Sequence, residues 1–506
     1  MSQLKKGAAL SYITIILTNI VGLVLTPFII KKLGDAEYGL YTLIGAFVGY
    51  ISVLDFGLNN TIVRFVAKYR AEKDKQGEES FLGTTMFIYG IISLVILFCG
   101  VLLYYNLDSI FSSSLTSTEL EKAKVMFVIL IFNLAITLPG GAFAAICSGY
   151  EHFVFPRAVN IGRYIFRSLM VVGLLMYGGD AVGLVILDTI MNILVIVLNS
   201  IYVFKKLNVD FKFNIKDLFL VREIFSYSIW IFVFAVVGQF QWKASQIVLG
   251  SLTNTTMVAI YAIGVMLGTY YGAFSTAISG VFLPRATKMI VKNASGYELT
   301  MMMVKIGRIS LVVLLLILGG FVLFGEQFID LWVGENYKES WFIALVIMIV
   351  YTVPLVQAFG NLILEAKSKF RFKAIVYISF IVVGLVLGSF LVPSYGLKGM
   401  VIGASTGWLL SVIIMNVYYQ REIKLSILLF FRELLRSILP TYLIIMLIGF
   451  FINKIPGNDW FNLLIKIFLY SLVFIVLIVR FGLNKNEHEM FKGFIQVKKN
   501  KNVYNQ

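Results

Sequence analysis

The chain has 506 residues, of which 59% are hydrophobic and 14% are charged, and its formal net charge is +16. A soluble domain carries about 25% charged residues. The repeated apolar runs of roughly 20 residues instead match the thickness of a bilayer core. The composition therefore excludes an ordinary soluble protein and predicts an all-α protein that crosses a membrane many times.

The apolar runs predict about fourteen transmembrane spans. We place them roughly at 8–30, 40–60, 81–104, 125–147, 158–178, 181–204, 224–250, 256–283, 302–325, 341–361, 372–393, 397–419, 434–452 and 460–482. With the N-terminus in the cytoplasm, about 31 of the Lys and Arg residues lie on the inner side, about 7 outside and about 5 within spans. This asymmetry predicts an inner or plasma membrane protein with both termini cytoplasmic. It favours anionic lipid headgroups, and not nucleic acid, as partners of the positive charge.

Several classes of site are not expected in this sequence. Cys99 and Cys147 lie in apolar spans, and His152 and His488 lack metal-ligand spacing, so no metal or cofactor is predicted. The first apolar run, 8–30, is too long for a cleavable signal peptide. There is no Walker-type phosphate loop and no catalytic cluster in an outer loop, so the protein is not expected to be an enzyme.

The sequence resembles itself at an offset of about 215 residues. "SYITIILTNIVGLVLTPFIIKKLG" near residue 11 matches "SYSIWIFVFAVVGQFQWKASQIVLG" near 226, and "TLPGGAFAAICSGYEHF" matches "TVPLVQAFGNLILEAKSKF". An even number of spans separates the matches, so the halves have the same orientation. We predict two parallel-repeat six-helix bundles, an extra helix pair and a basic cytoplasmic tail, at 1–210 (N-lobe), 211–425 (C-lobe), 426–484 and 485–506.

The fifth span carries a polar stripe. "AVNIGRYIFRSLM" places Asn160, Arg163 and Arg167 at helical spacing i, i+3 and i+7. A charge inside a membrane is costly, so such residues usually face a cavity or each other. We interpret the stripe as the lining of a substrate cavity. The alternative is that the arginines extend to the headgroups.

The sixth and seventh spans carry further stripes. "GQFQWKASQIVLG" aligns Gln239, Lys243 and Gln246, which favours a wet groove over a packed Lys–Gln cluster or a lysine that extends to the outer headgroups. "LDTIMNILVIVLN" aligns Asp188 with Asn192, where the acid could couple an ion or form a salt bridge with an arginine of the fifth span.

Three interior cations against one acid favour an anionic ligand, because guanidinium and ammonium groups suit phosphate oxygens.

The stretch that follows the second span turns from apolar to basic. Asp55 lies close to its cytoplasmic end, and beyond it Arg64 lies on the polar face of an amphipathic helix. Arg285 occupies the equivalent place in the second half. We interpret these three residues as a cytoplasmic entrance, with membrane anchoring or helix packing as the alternative.

The runs "LGDAEYGLYTLI…LDFGLNNTIVRFVAKY" (33–69) and "VPSYGLKGMVIGA" (392–404) resemble the Wzx-type polysaccharide biosynthesis flippases. The resemblance implies a MATE-like fold and alternating access through a basic cavity. It also implies an undecaprenyl-pyrophosphate-linked oligosaccharide as substrate and coupling to H⁺ or Na⁺. A polysaccharide polymerase and chain-length machinery are candidate partners. The arginine-rich first span of the related lipid II flippases is absent, since Asn19 lies in that stretch.

The alternatives are a MATE-like drug or cation antiporter and a membrane-embedded polymerase or glycosyltransferase.

Overall fold

A computed structural model describes residues 3–55, 57–112, 114–212, 218–279, 282–367, 369, 371–484 and 487–489. These residues contain no β-strand and form seventeen α-helices. They are α1 (Gln3–Leu33), α2 (Asp35–Ile51), α3 (Leu58–Glu72), α4 (Lys75–Phe111), α5 (Ser117–Gly149), α6 (Val154–Met176), α7 (Ala181–Lys206), α8 (Leu218–Leu252), α9 (Thr255–Ser279), α10 (Leu283–Val291), α11 (Gly296–Val333), α12 (Lys338–Val356), α13 (Ala358–Ala366), α14 (Arg371–Glu422), α15 (Ile427–Leu435), α16 (Ile438–Asn453) and α17 (Trp460–Leu477).

Within the described ranges, ten helices are long and apolar enough to cross a membrane. The number rises to 11 if the bent pair α15 and α16 is one span. The predicted all-α, multi-spanning class is thereby confirmed. The count of fourteen spans and the repeat remain predictions, and the predicted tail lies outside the described residues except at 487–489.

Several helices are longer than the apolar runs that predicted them. Helix α11 has 38 residues, which corresponds to about 57 Å, against about 30 Å for a hydrocarbon core. The extension has a local cause, since Ser295 and Glu298 form a capping box at its start. Helix α4 likewise starts at a cap, where Asp74 accepts a hydrogen bond from the Gly77 N–H at 2.8 Å. Hydropathy indicates only the apolar part of such a helix, and the caps set its ends.

The predicted second span, 40–60, is not one continuous helix. Helix α2 ends at Ile51, and a 3₁₀ turn over Ser52–Asp55 follows it. Gly57 then adopts a left-handed conformation with φ 70° before α3 begins. The apolar face of α3, including Phe65 and Val66, is buried in contact with α4 and α5, so protein covers it.

Helix α14 folds back on itself at Gly396, whose φ of 54° and ψ of −136° are not helical. Its two halves then pack backbone to backbone. A Cβ atom on Gly403 would lie 2.2 Å from the Gly388 nitrogen, which no side chain could tolerate. The glycines of "GLVLG" and "GMVIG" therefore permit this close contact.

The chain divides into two compact units. The first unit comprises Met1–Ala262 and Tyr377–Ala404, and the second comprises Ile263–Val376 and Ser405–Gln506. In the first unit α6 packs against α1 and α7, and α2 packs against α5, α7 and α8. In the second unit α11 contacts α12, α13, α15, α16 and α17. The predicted lobe boundaries at 210 and 425 remain predictions.

A buried arginine joins four segments of the second unit. Arg308 of α11 is 3% exposed. It donates to the Glu487 carboxylate at 2.6 and 3.0 Å and to Ser437 Oγ at 3.2 Å. It also donates to the carbonyl oxygens of Gly482 and Glu433 at 2.8 and 2.9 Å. The guanidinium thus stabilises the α15–α16 junction and the segment after α17.

We expect the substitution Arg308→Ala to destabilise the protein by about 3–5 kcal/mol, because it leaves a buried carboxylate without its cation. Thermal unfolding in detergent measures the loss. Glu487→Gln is the matched control, since it keeps the shape and an acceptor oxygen, and its effect should be smaller. An unchanged unfolding temperature in Arg308→Ala would refute this role.

Candidate functional site

One of the predicted interior charges is compensated by an ion pair between α6 and α7. Arg167 Nη2 donates to Asp188 Oδ2 at 2.9 Å, and Arg167 Nε donates to the other carboxylate oxygen. The hydroxyl of Tyr41, on α2, donates to Asp188 Oδ2 at 3.3 Å. The salt bridge that the sequence allowed for Asp188 is therefore present, and a role in ion coupling stays a prediction. The contact joins α2, α6 and α7.

The arginine one turn earlier on α6 has no such partner. Arg163 Nε is buried and makes no hydrogen bond. Its guanidinium lies 5.6 Å from the centre of the Tyr164 ring, and it forms no ion pair with any residue that the structure describes. Asn160, a further turn back, is half-buried. The predicted stripe therefore contains one compensated and one uncompensated cation.

Helix α8 carries the second uncompensated cation. Lys243 is partly buried and makes no hydrogen bond or ion pair within the described ranges. Gln246 is 2% exposed, and its Oε1 atom is buried without a hydrogen-bond partner. Gln239 lies against α2, where a Cβ atom on Gly49 would approach its Oε1 to 3.2 Å. Among the residues that the structure describes, neither the Lys243 ammonium nor Gln246 Oε1 has a hydrogen-bond partner.

Close packing fixes α8 against α2. A Cβ atom on Gly250 of α8 would lie 2.4 Å from Leu43 Cδ1 of α2, and the Tyr50 and Phe240 rings meet edge to face at 5.0 Å. Residue numbers rise along α2 as they fall along α8, so the two helices are antiparallel. Lys243 lies between these two contacts along α8.

Asn192, one turn after Asp188 on α7, makes a hydrogen bond to a neighbouring helix. Asn192 Nδ2 donates to Asn133 Oδ1 of α5 at 3.0 Å. Thr137 Oγ1 donates to the same oxygen at 2.8 Å. Asn192 therefore supports the α5–α7 contact in this structure.

The three predicted entrance residues have different surroundings. Arg64 is exposed on α3, whereas Asp55 accepts hydrogen bonds from the Tyr89 hydroxyl at 2.9 Å and from Asn59 Nδ2 at 3.3 Å. Arg285 is exposed and belongs to the second unit. It lines a cavity of about 440 Å³ whose lining also includes Arg308.

Sequence reasoning did not single out Glu37, which lies in the run "LGDAEYGLYTLI". Its carboxylate accepts a hydrogen bond from the Ala181 N–H at 2.8 Å and pairs with Lys122 at 3.1 Å. Lys122 also pairs with Asp180, which caps α7. Burial opposes ionisation of Asp180, but the Gly183 N–H and the Lys122 ammonium hold the pKa of this carboxyl below its usual range. The acid of the motif therefore stabilises the ends of α2, α5 and α7.

Comparison with protein-family models matches residues 4–290 to the family described as polysaccharide biosynthesis protein. The chain is 21% identical over 407 residues to a putative O-antigen transporter of Shigella flexneri, covering 78% of this chain and 92% of that protein. It is 23% identical over 449 residues to the probable flippase AglR of Haloferax volcanii, covering 84% and 85% of the two chains.

Solved structures show the same fold. The lipid II flippase MurJ in an inward closed conformation aligns with a TM-score of 0.68 and 16% identity, over 93% of this chain and 97% of MurJ. An inward-facing multidrug resistance transporter of the MATE family aligns with a TM-score of 0.57 and 14% identity, over 80% and 98% of the two chains. The fold is thus MATE- and MurJ-like. Because the family match spans more than half of the 506 residues, the chain belongs to the polysaccharide biosynthesis protein family, as a Wzx-type member.

Proposed function

We propose that this protein is a flippase. It moves undecaprenyl-pyrophosphate-linked oligosaccharides from the cytoplasmic to the outer leaflet for the synthesis of a surface polysaccharide. Membership of the family supports this proposal, as do relatives named O-antigen transporter and flippase. Those names also support transport, and not enzymatic turnover, as the activity.

The observation that carries the proposal is the pair of uncompensated cations in the first unit. Arg163 and Lys243 lie in apolar helices without an acidic partner among the described residues. A charge at the centre of a membrane helix costs about 2.5–3.5 kcal/mol, so a cation of this kind is retained for a ligand or a water-filled path. A pyrophosphate offers the negative charge and acceptor oxygens that both groups lack.

The proposed path includes the polar groups that flank the two cations. Asn160 lies beside Arg163 on α6, and Gln239 and Gln246 flank Lys243 on α8. They would hydrogen-bond phosphate or sugar oxygens as the headgroup passes. Arg167 contributes a fixed, neutralised pair with Asp188, which orients α6 against α7.

The transport cycle proposed here is alternating access, with fourteen spans in two parallel repeats and both termini in the cytoplasm. Arg64 and Arg285 are exposed basic residues that would attract the anionic headgroup at the cytoplasmic entrance. The antiparallel α2–α8 contact, closed at Leu43 and Gly250, is one contact whose opening such a cycle would require. A gradient of H⁺ or Na⁺ would supply the free energy.

We expect Arg163→Gln and Lys243→Gln each to slow flipping of a pyrophosphate-linked oligosaccharide in proteoliposomes. A lost charge-assisted hydrogen bond of about 1.5–3 kcal/mol corresponds to about a 10- to 100-fold lower rate. Arg157→Gln is the matched control, because Arg157 lies two turns nearer the start of α6. Wild-type rates in both cavity variants, with the expression level unchanged, would argue against this path.

A double-mutant cycle tests the role of the Arg167–Asp188 pair. Arg167→Gln and Asp188→Asn should each lower the unfolding temperature, because each leaves one charge alone, and the double variant should recover part of the loss. The expected coupling energy is about 0.5–3 kcal/mol. Additive losses would contradict a structural pair. Additive losses would favour ion coupling as the role of Asp188.

A further inference from the structure

Asp55 occupies an unusual position for an acid. It ends the 3₁₀ turn between α2 and α3, and the turn packs against α2, α4, α5 and α8. Its carboxylate accepts from the Tyr89 hydroxyl at 2.9 Å, from Asn59 Nδ2 at 3.3 Å and from the Gly57 N–H. Tyr89 is 0% exposed and Asp55 and Asn59 are half-buried, so the Tyr89 side of this site lies inside the helix bundle of the first unit.

No cation compensates this carboxylate among the described residues. The titratable group that contacts it is the phenol of Tyr89 on α4, and the charged residues of α2, Asp35 and Glu37, lie in the first turn of that helix. Lys243 is the one charged residue on α8 after Glu223, and it forms no ion pair.

The two remaining helices bring no opposite charge either. Helix α4 has no charged residue between Glu79 and Asp108. Helix α5 has none between Lys124 and its end at Gly149, and its titratable group in that stretch is the thiol of Cys147. A carboxylate that is set into apolar helices without a cation favours its neutral, protonated form.

The side-chain amide of Asn59 can respond to protonation of Asp55. Asn59 Oδ1 is buried without a hydrogen-bond partner while Nδ2 points to Asp55. If Asp55 takes up a proton, rotation of the amide by half a turn brings Oδ1 to the new O–H donor. The unsatisfied oxygen then gains its hydrogen bond, and the charge is lost in the same step. Gly141 of α5 gives the amide its space, since a Cβ atom there would lie 2.9 Å from Nδ2.

We propose that Asp55, with Asn59 and Tyr89, is a proton-binding site that couples the proton gradient to flipping, an assignment that rests on the proposed flippase function. One proton passes from water on one side to the Asp55 carboxylate, and it leaves to water on the other side after the conformational change. The site lies where α2 ends, and α2 also carries Tyr41 of the Arg167–Asp188 contact. Protonation therefore acts on the helix that joins α6, α7 and α8.

A structural role for Asp55 as a turn former predicts a different result from Asp55→Asn. The amide keeps an acceptor oxygen for the Gly57 N–H and the Tyr89 hydroxyl, so the turn survives. The variant cannot exchange a proton. A folded Asp55→Asn protein that has lost only its response to pH is thus the signature of a proton site.

The first measurement is infrared difference spectroscopy of the purified protein in nanodiscs. An Asp in water is ionised at neutral pH, with an ordinary pKa of about 3.9. We expect the wild type to show a carboxylic-acid C=O band near neutral pH that Asp55→Asn lacks and Asp108→Asn keeps, Asp108 being an exposed acid on α4. Absence of this band from the wild type, or its survival in Asp55→Asn, would overturn the proposal.

The second measurement is flipping in proteoliposomes with and without an imposed pH gradient. The wild type and Asp108→Asn should flip faster with the gradient, and Asp55→Asn should flip at one rate in both conditions. A gradient response that persists in Asp55→Asn would sink the coupling role and leave the flippase function standing. Conversely, a wild type that shows the band and flips nothing would overturn the flippase function, with proton binding at Asp55 still supported.

Discussion

The cost of placing charge inside a hydrocarbon layer is the constraint on which the first unit depends. The Arg167–Asp188 contact answers it by neutralising two charges at once, and the Tyr41 hydroxyl extends the contact to α2. The contact thereby joins three helices, α2, α6 and α7. The same cost is the basis of the proposal for Arg163 and Lys243, which have no acidic partner among the residues that the structure describes.

Much of this fold follows from local patterns in the sequence. Apolar runs predicted the all-α, multi-spanning class, and ten helices within the described ranges are long and apolar enough to cross a membrane. The amphipathic pattern after the second span predicted a helix on the membrane surface, whereas α4 and α5 cover the apolar face of α3. Hydropathy could not show that the second span breaks at Ser52–Asp55. The break depends on the left-handed conformation of Gly57 and on the hydrogen bond that the Asp55 carboxylate accepts from the Gly57 N–H. Helix ends beyond the membrane depend on caps, which hydropathy does not register.

The pairing of charges was the part that sequence could not decide. Arg163 and Arg167 lie on the same face of α6 in the sequence pattern. Among the described residues Arg167 forms an ion pair with an acid and Arg163 does not, because the pairing depends on how α6 packs against α7. Glu37 was missed because its partners lie 85 and 144 residues away along the chain. Arg308 was missed for the same reason, since Glu487 is 179 residues distant. Long-range partners of this kind carry no local signal.

The central claim is that the uncompensated cations of the first unit recognise a pyrophosphate on a lipid carrier. The most direct test compares two substrates in proteoliposomes that contain the wild-type protein. One is a fluorescent oligosaccharide linked to undecaprenyl pyrophosphate, and the other is the same sugar linked through a single phosphate. We predict faster flipping of the pyrophosphate-linked substrate, with the difference reduced by Lys243→Gln. Equal rates for both substrates, or no flipping of either, would contradict the claim.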